Sequence, residues 1–334
     1  MSYLKDDQAN GSDSNFQQGP RKHSPTPSGE TELQLDMSLS EAREEFELMT
    51  KVSGKAESTI ESYKYTYNRL IQEIDKETPI GEISTKDIRL FLSELMDDGL
   101  SKNTVAIHYR NLGVFFNWLV RENFLEDSPL EPVEEPKTPD KYPKVLDKEE
   151  IATLLETEKK RSNTWAGYRN YVMLLVFIDT GVRLNEFRNA KIEDLDLENR
   201  TLKVHGKGAK DRKVSFGPKT AKHLHRWLRK RDNVEKVWDD TIFISQNGDK
   251  LKTRNVQRII TRIQKRAGLE NKQVSPHVLR HSSATLAVQN GLDTFSLKRQ
   301  FGWEQVDTAL RYVHISNKQI SETYRDSSPI SSIP

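Results

Sequence analysis

Four residues that can act on a phosphate lie close together near the end of the chain. Residues 275–314 contain the motifs SPHVLRH, FGW and ALRYVH, which carry His277, Arg280, Trp303 and Tyr312. Arginine binds a phosphate through parallel N–H donors, histidine moves protons, and a tyrosine hydroxyl can act as a covalent nucleophile. An indole N–H donates a further hydrogen bond. Together with a second arginine and a lysine from earlier in the chain, these are the groups that a protein needs to cleave a phosphodiester without a metal ion.

Arg183 adds a second arginine from an earlier part of the chain. It stands in TGVRLNE, directly after an apolar run that predicts a buried helix, so we expect it where one helix ends and the next begins. An arginine held rigidly at such a corner can stabilise charge in a transition state. Taken alone, it could equally be a surface arginine paired with Glu186, three residues further on.

Two lysines follow, and either can serve as a proton donor. Lys207 and Lys210 lie in HGKGAKD, between TLKVHG and RKVSFG, whose alternating apolar and polar residues predict a β-hairpin. A hairpin turn can deliver a lysine to a leaving oxygen. The spacing GxxxxGK[ST] of a nucleotide-binding loop is absent.

A zinc site is the alternative interpretation of the histidines. His277 and His281 are four residues apart, as zinc ligands on a helix often are, but Val278 occupies the place of the glutamate in the metalloprotease motif. The chain contains no cysteine, which excludes disulfides, thiol catalysis and cysteine-bound zinc. We therefore expect neither a metal nor another cofactor.

Composition limits how the chain can bind a polyanion. Among 334 residues, 52 Lys and Arg face 50 Asp and Glu, a net charge of only +2. A basic surface must therefore arise from local segregation of charge. The first 20 residues lack the apolar core of a signal peptide, and the longest apolar run, 172–178, is far shorter than the roughly 18 residues of a membrane span. We expect a cytoplasmic protein without membrane contact.

Composition also divides the chain into five parts. Residues 1–37 are rich in Ser, Gly, Gln, Asp and Pro, which predicts a disordered tail. Residues 38–126 carry apolar positions at helical spacing and predict a domain of about four helices. Dense prolines indicate a linker at 127–145. A second domain is expected at 146–325, followed by a flexible end at 326–334.

The expected fold class is mainly α with a small β-sheet, the sheet belonging to an α+β second domain. Helix starts are predicted at Ser38 and Ser84, each followed three residues later by a carboxylate, and at Ser275 or Pro276.

The order Arg, Lys, His-x-x-Arg, Trp and Tyr, with the lysine on a hairpin and the tyrosine near the C-terminus, closely resembles the tyrosine recombinase (phage integrase) family, and within it the Xer-like site-specific recombinases. The resemblance covers about residues 38–325 and rests on TGVRLNE, GKGAK, SPHVLRH, the GW pair and RYVH. Many members have histidine at the position of Trp303, whereas others have tryptophan.

The resemblance implies a role for each matching residue. Tyr312 would attack a DNA phosphate, form a 3′-phosphotyrosine link and release a 5′-hydroxyl. Arg183 and Arg280 would hold the non-bridging oxygens, and Lys207 would be the general acid on the leaving oxygen, with Lys210 as the alternative.

His277 would assist as general base or phosphate contact, and Trp303 would donate a hydrogen bond. No ATP is implied, because the phosphotyrosine conserves the energy of the broken bond.

The resemblance also implies partners and architecture. A helical core-binding domain and a catalytic domain would form a C-shaped clamp on double-stranded DNA carrying specific recombination sites, and a homo-tetramer would assemble on paired sites. A nucleoid-associated setting, prokaryotic or from a virus or mobile element, would follow, whereas the resemblance leaves the need for accessory proteins open. A type IB topoisomerase and a DNA-binding regulator that has lost catalysis are the alternatives.

Overall fold

The computed structural model describes residues 36–138, 143–206, 211–234 and 236–315, with the backbone alone at 314 and 315. The chain divides into two compact units, residues 1–140 and 141–334. This division falls within the proline-rich segment 127–145. All but the last two residues of the predicted tail 1–37 lie outside the described residues, as does the predicted flexible end 326–334.

The described part of the first unit is helical, as the sequence predicts. Its α-helices are α1 Leu39–Val52, α2 Glu57–Glu73, α3 Thr85–Asp97 and α4 Lys102–Arg121. The predicted starts of α1 and α3 are confirmed, because Ser38 and Ser84 both cap their helices through reciprocal hydrogen bonds with the carboxylates three residues later.

Aromatic rings fill the core of this unit. The ring of Phe46 lies 5.3–5.6 Å from four other rings, those of Tyr63, Tyr67, Phe115 and Trp118. Edge-to-face contacts of this kind add to the stabilisation from buried apolar area. Leu130 and Val133, from the proline-rich segment, are also buried in this core.

The described part of the second unit combines eight α-helices with a small sheet, which confirms the expected fold class. The helices are α5 Lys148–Lys160, α6 Trp165–Thr180, α7 Leu184–Asn189, α8 Pro218–Arg231, α9 Thr253–Arg266, α10 Pro276–Gln289, α11 Thr294–Phe301 and α12 Val306–Ile315. Helix α6 is buried along nearly its whole length and forms the centre of the core. Ser275 caps α10 and Pro276 occupies its first turn, as predicted.

The predicted β-hairpin is present beside this helical core. Strands β1 Leu195–Asp196, β2 Thr201–His205 and β3 Asp211–Ser215 form an antiparallel sheet in the order β1-β2-β3. Leu202 pairs with Val214 and both side chains are buried in the core. The alternation seen in the sequence therefore places one face of the hairpin against α6 and α7.

In the described residues, no helix combines the length and the apolar character required to cross a membrane.

Gly181, between α6 and α7, is predicted to be intolerant of a side chain. Its φ is +62°, and a Cβ here would lie 2.2 Å from the Phe301 ring. We expect Gly181→Ala to lower the free energy of unfolding by about 2–4 kcal/mol, combining left-handed strain with overpacking. Gly268→Ala is the matched control, since φ there is +71° but no atom lies within 4 Å. It should cost only about 1 kcal/mol, and equal losses in urea unfolding would contradict the packing argument.

His205, the last residue of β2, is predicted to make stability depend on pH. Its Nδ1 lies 2.8 Å from Asp211 and its Nε2 3.4 Å from Asp194, while Lys203 lies 3.0 Å from the other Asp211 oxygen. The hydrogen bond to Asp211, ahead of the charge of Asp194, raises the pKa of His205 above 6.5. Its stabilising effect is therefore complete below about pH 6.5 and is lost as pH rises through the raised pKa.

We expect the stability difference between wild type and His205→Gln to be larger near about pH 5.5 than near about pH 8.5. Urea unfolding at both pH values measures it, and His225→Gln on α8 controls for the loss of a surface histidine. A difference that does not change with pH would contradict the role assigned to the ion pairs.

Candidate active site

Arg280 is the buried centre of the site. It belongs to α10, and only 5% of the residue is exposed. Nη1 donates to the backbone carbonyl of Gly181 and Nη2 to that of Phe301, while the guanidinium lies over the rings of Phe301 and Trp303 at 5.1 and 5.6 Å. Burial, and then the nearby charge of Arg183, lowers the pKa of Arg280 to about 9. The guanidinium therefore stays charged at neutral pH.

Arg183 lies where the sequence predicts, between the end of α6 and the start of α7. Its backbone N–H donates to Glu186 over 2.7 Å, its Nη1 donates to the same carboxylate over 3.0 Å, and its Nη2 reaches the carbonyl of Gly302 over 3.1 Å. With 41% of its side chain exposed, Arg183 is far more open to solvent than Arg280.

Besides Arg183, Glu186 binds Arg212 from β3, which is the third arginine of the site. Burial by itself raises the pKa of Glu186, but hydrogen bonds from Arg212 and Arg183 outweigh burial and hold that pKa below its ordinary value. The carboxylate is therefore ionised at neutral pH.

An aromatic stack lies beside these arginines. The rings of Trp303 and Tyr312 are nearly parallel, at 5° and 5.0 Å between centroids, and Phe301 stacks on Trp303 at 5.0 Å. Tyr312 belongs to α12 and is only 2% exposed. The C-terminal ends of α6, at Gly181, and of α11, at Phe301 and Gly302, form one backbone corner. Around it lie four residues separated by up to 129 positions (312 − 183) in the sequence: Arg183, Arg280, Trp303 and Tyr312.

The hydroxyl of Tyr312 forms a hydrogen bond with Nδ1 of His281. Burial raises the pKa of Tyr312, with Arg280 and Arg311 acting in the opposite direction. Burial, followed by the proximity of His277 and Arg280, lowers the pKa of His281. A neutral imidazole is therefore favoured at neutral pH, and it can accept the hydroxyl proton.

The remaining predicted residues are placed differently. His277 is exposed at the start of α10, whereas Arg280 on the same helix is buried. Lys207 and Lys210 lie outside the described residues, between the end of β2 at His205 and the start of β3 at Asp211.

Sequence reasoning missed three residues of this cluster. His281 was considered only as a zinc ligand, and Glu186 only as a surface partner of Arg183. Arg212 has no distinguishing signal in a basic segment. Among the described residues, no three histidine, aspartate or glutamate side chains are grouped so that they could hold a metal ion.

Comparison with known protein families matches both units. The model described as "Phage integrase family" matches residues 144–319, more than half of the chain, and that described as "Phage integrase, N-terminal SAM-like domain" matches residues 43–125.

Two Xer recombinases are similar to this chain over most of their length. Tyrosine recombinase XerD of Oceanobacillus iheyensis is 31% identical over 83% of this chain and 94% of its own. Tyrosine recombinase XerC of the same organism is 32% identical over 75% of this chain and 82% of its own.

Solved structures share the fold. XerH site-specific recombinase, bound to palindromic difH substrate in a post-cleavage complex, superposes with a TM-score of 0.69 at 25% identity, over 82% of this chain and 80% of that one. The Tn1549 transposon integrase with transposon right end DNA gives a TM-score of 0.70 at 17% identity, over 87% and 100%. With an extensive family match and relatives above 30% identity, the chain belongs to the phage integrase family of tyrosine recombinases, enzymes of site-specific DNA recombination.

Proposed function

We propose that this recombinase cleaves and rejoins double-stranded DNA at specific sites through a 3′-phosphotyrosine intermediate, with Tyr312 as the nucleophile. The observation that carries the proposal is the convergence of Tyr312 with two arginines and Trp303 around one backbone corner. In the proposed step the tyrosine oxygen bonds to phosphorus, the bond from phosphorus to the 5′ oxygen breaks, and the released oxygen takes a proton.

Arg183 and Arg280 stabilise the phosphate in this proposal. Arg280 is fixed by two backbone carbonyls, so its position requires little reorganisation when DNA binds. Arg183 is more exposed and can approach a non-bridging oxygen from the solvent side. Trp303 contributes an indole N–H, which donates but cannot accept a proton.

Proton transfer requires an acceptor at the tyrosine and a donor at the leaving oxygen. The hydrogen bond between Tyr312 and His281 supports His281 as an acceptor. His277, which is exposed, is proposed as a second base or as a phosphate contact. Lys207, with Lys210 as the alternative, is proposed as the general acid. The step as written needs no ATP and no metal ion.

Tyr312 must also leave its buried position to meet a phosphate. It is 2% exposed and stacked on Trp303, so a DNA strand cannot approach the hydroxyl from solvent while the stack is intact. We propose that DNA binding displaces the tyrosine from the stack, which would limit cleavage to assembled complexes.

A local basic surface supports DNA as the substrate. Arg254, Arg258 and Arg262 are exposed on successive turns of α9 and form one stripe, although the net charge of the chain is only +2. Such a stripe neutralises phosphates, and binding should weaken steeply as salt is raised.

We further propose that the two units clamp the duplex and that four chains assemble on paired sites. The DNA-bound recombinases among the similar structures support DNA as the partner.

The first test uses Tyr312→Phe and a pool of randomised duplexes carrying a nick. Wild type should trap a covalent adduct, since the short fragment beyond the cleaved bond diffuses away, and sequencing the trapped DNA identifies the target site. Tyr312→Phe should form no adduct yet bind the recovered duplex with nearly unchanged affinity, because only the nucleophilic oxygen is lost.

Tyr168→Phe is the matched control, because Tyr168 also binds a histidine, His223, over 3.0 Å. It should form the adduct normally. An adduct persisting in Tyr312→Phe would remove Tyr312 from the reaction.

The second test concerns Arg183. Arg183→Ala should slow single-turnover cleavage of the recovered duplex about 10²–10³-fold, as expected for loss of one preorganised donor to a developing oxyanion. Arg188→Ala, on the short helix α7 that begins directly after Arg183, removes an arginine bound to the carbonyl of Leu251 and should cleave at nearly the wild-type rate. Undiminished cleavage by Arg183→Ala would exclude this arginine from the phosphate site.

A further inference from the structure

The carboxylate of Glu186 has more positive charge around it than one ion pair needs. Its side chain is 3% exposed. Oε1 accepts from Nη1 of Arg183 over 3.0 Å and from Nη1 of Arg212 over 2.6 Å; Oε2 accepts from the backbone N–H of Arg183 over 2.7 Å and from Nη2 of Arg212 over 2.9 Å. The bidentate partner of Glu186 is therefore Arg212, whereas Arg183 gives it a single side-chain bond.

Arg212 is fixed on its other side by the end of α11. Its Nε donates to the carbonyl of Gln300 over 3.2 Å. The guanidinium also packs against Gly302, where a Cβ would lie 2.8–2.9 Å from Cδ, Nε and Cζ of Arg212. Gly302 has φ +61° and its carbonyl binds Arg183. Both arginines thus rest on the backbone that leads into Trp303.

Exposure separates the tasks of the two arginines. The side chain of Arg212 is 14% exposed and that of Arg183 is 41% exposed. A buried carboxylate that loses one partner is left with uncompensated charge, so the remaining bonds from Arg183 to Glu186 would carry the whole compensation. Without Arg212, Glu186 would hold Arg183 as its sole counterion and would cancel the charge that a phosphate is meant to meet. With Arg212 present, the three groups carry a net charge of +1.

Arg212 is also close in sequence to the predicted general acid, Lys207 or Lys210. It is the second residue of β3, which begins directly after residues 207–210. Its bonds to Glu186 and Gln300 therefore anchor the start of β3 to the backbone that holds Arg183.

We propose that Arg212 is a positioning residue for DNA cleavage: it neutralises Glu186 so that Arg183 keeps its charge for the scissile phosphate, and it anchors β3 beside the site. This inference rests on the proposed phosphotyrosine chemistry, and Arg212 acts through Glu186 without touching the DNA.

The test measures single-turnover cleavage, DNA affinity and thermal midpoint on the nicked duplex recovered with wild type. Arg212→Gln should slow cleavage about 10–100-fold, since charge-assisted hydrogen bonds are lost, while affinity stays within about threefold of wild type. Arg231→Gln is the control, because Arg231 is a buried arginine of the same unit bound to the carbonyls of Thr241 and Asp239. It should lower the thermal midpoint at least as much and leave the cleavage rate nearly unchanged.

A second substitution distinguishes positioning from general support of the fold. In Arg212→Gln, Glu186 has lost Arg212 and its charge is opposed by Arg183 alone. Adding Glu186→Gln removes that negative charge and frees Arg183, so the double variant should cleave at least about fivefold faster than Arg212→Gln alone. A purely structural role predicts additive loss. A double variant as slow as the single one, or Arg212→Gln at the wild-type rate, would overturn the proposal.

Arg212→Lys carries the test if Arg212→Gln does not fold. Lysine keeps the charge that opposes Glu186, so a rate within about tenfold of wild type is expected, and a greater loss at an unchanged thermal midpoint would contradict the proposal. If wild type itself forms no adduct, the proposed chemistry fails and the inference fails with it. An adduct in wild type with no response to Arg212→Gln disproves the inference alone.

Discussion

The described part of the catalytic unit depends on one buried cation. Arg280 joins three segments distant in sequence, because its own helix α10 supplies the guanidinium while the corner after α6 and the end of α11 supply the carbonyls. Removing a guanidinium from water is costly unless its N–H groups find acceptors. Here the acceptors are backbone carbonyls at a helix end, where carbonyls lack partners within the helix. The same hydrogen bonds therefore satisfy the guanidinium and the carbonyls at the ends of α6 and α11.

The aromatic residues complete this arrangement from the other side. Phe301 and Trp303 form a surface against which Arg280 and Tyr312 both pack. The stack positions the tyrosine near the cation without exposing it, and its hydroxyl takes His281 as partner. Burial raises the pKa of the tyrosine and lowers that of the histidine, so both are favoured in their neutral forms at neutral pH. In the proposed mechanism, the tyrosine becomes a nucleophile only when these surroundings change.

The charged side chains of the site differ in how deeply they are buried. Glu186 is the buried anion among three cations, and the deeper of its two direct partners, Arg212, matches it most completely. The side chain of Arg183 is the more exposed of the two. The excess of positive charge arises locally, in a chain whose overall charge is nearly balanced.

The relatives and similar structures are recombinases, and they favour neither a topoisomerase nor a regulator without catalytic activity.

The sequence by itself determined the elements and the family. Capping pairs at Ser38 and Ser84, the alternation around the hairpin and the order of the motifs are local features, because helix caps and strand periodicity depend on neighbouring residues. The tertiary structure alone decided which histidine meets Tyr312 and which arginine neutralises Glu186. Those pairings join residues 31 and 26 positions apart, and they follow from how α7, β3, α10 and α12 pack, a property that no spacing within the chain encodes.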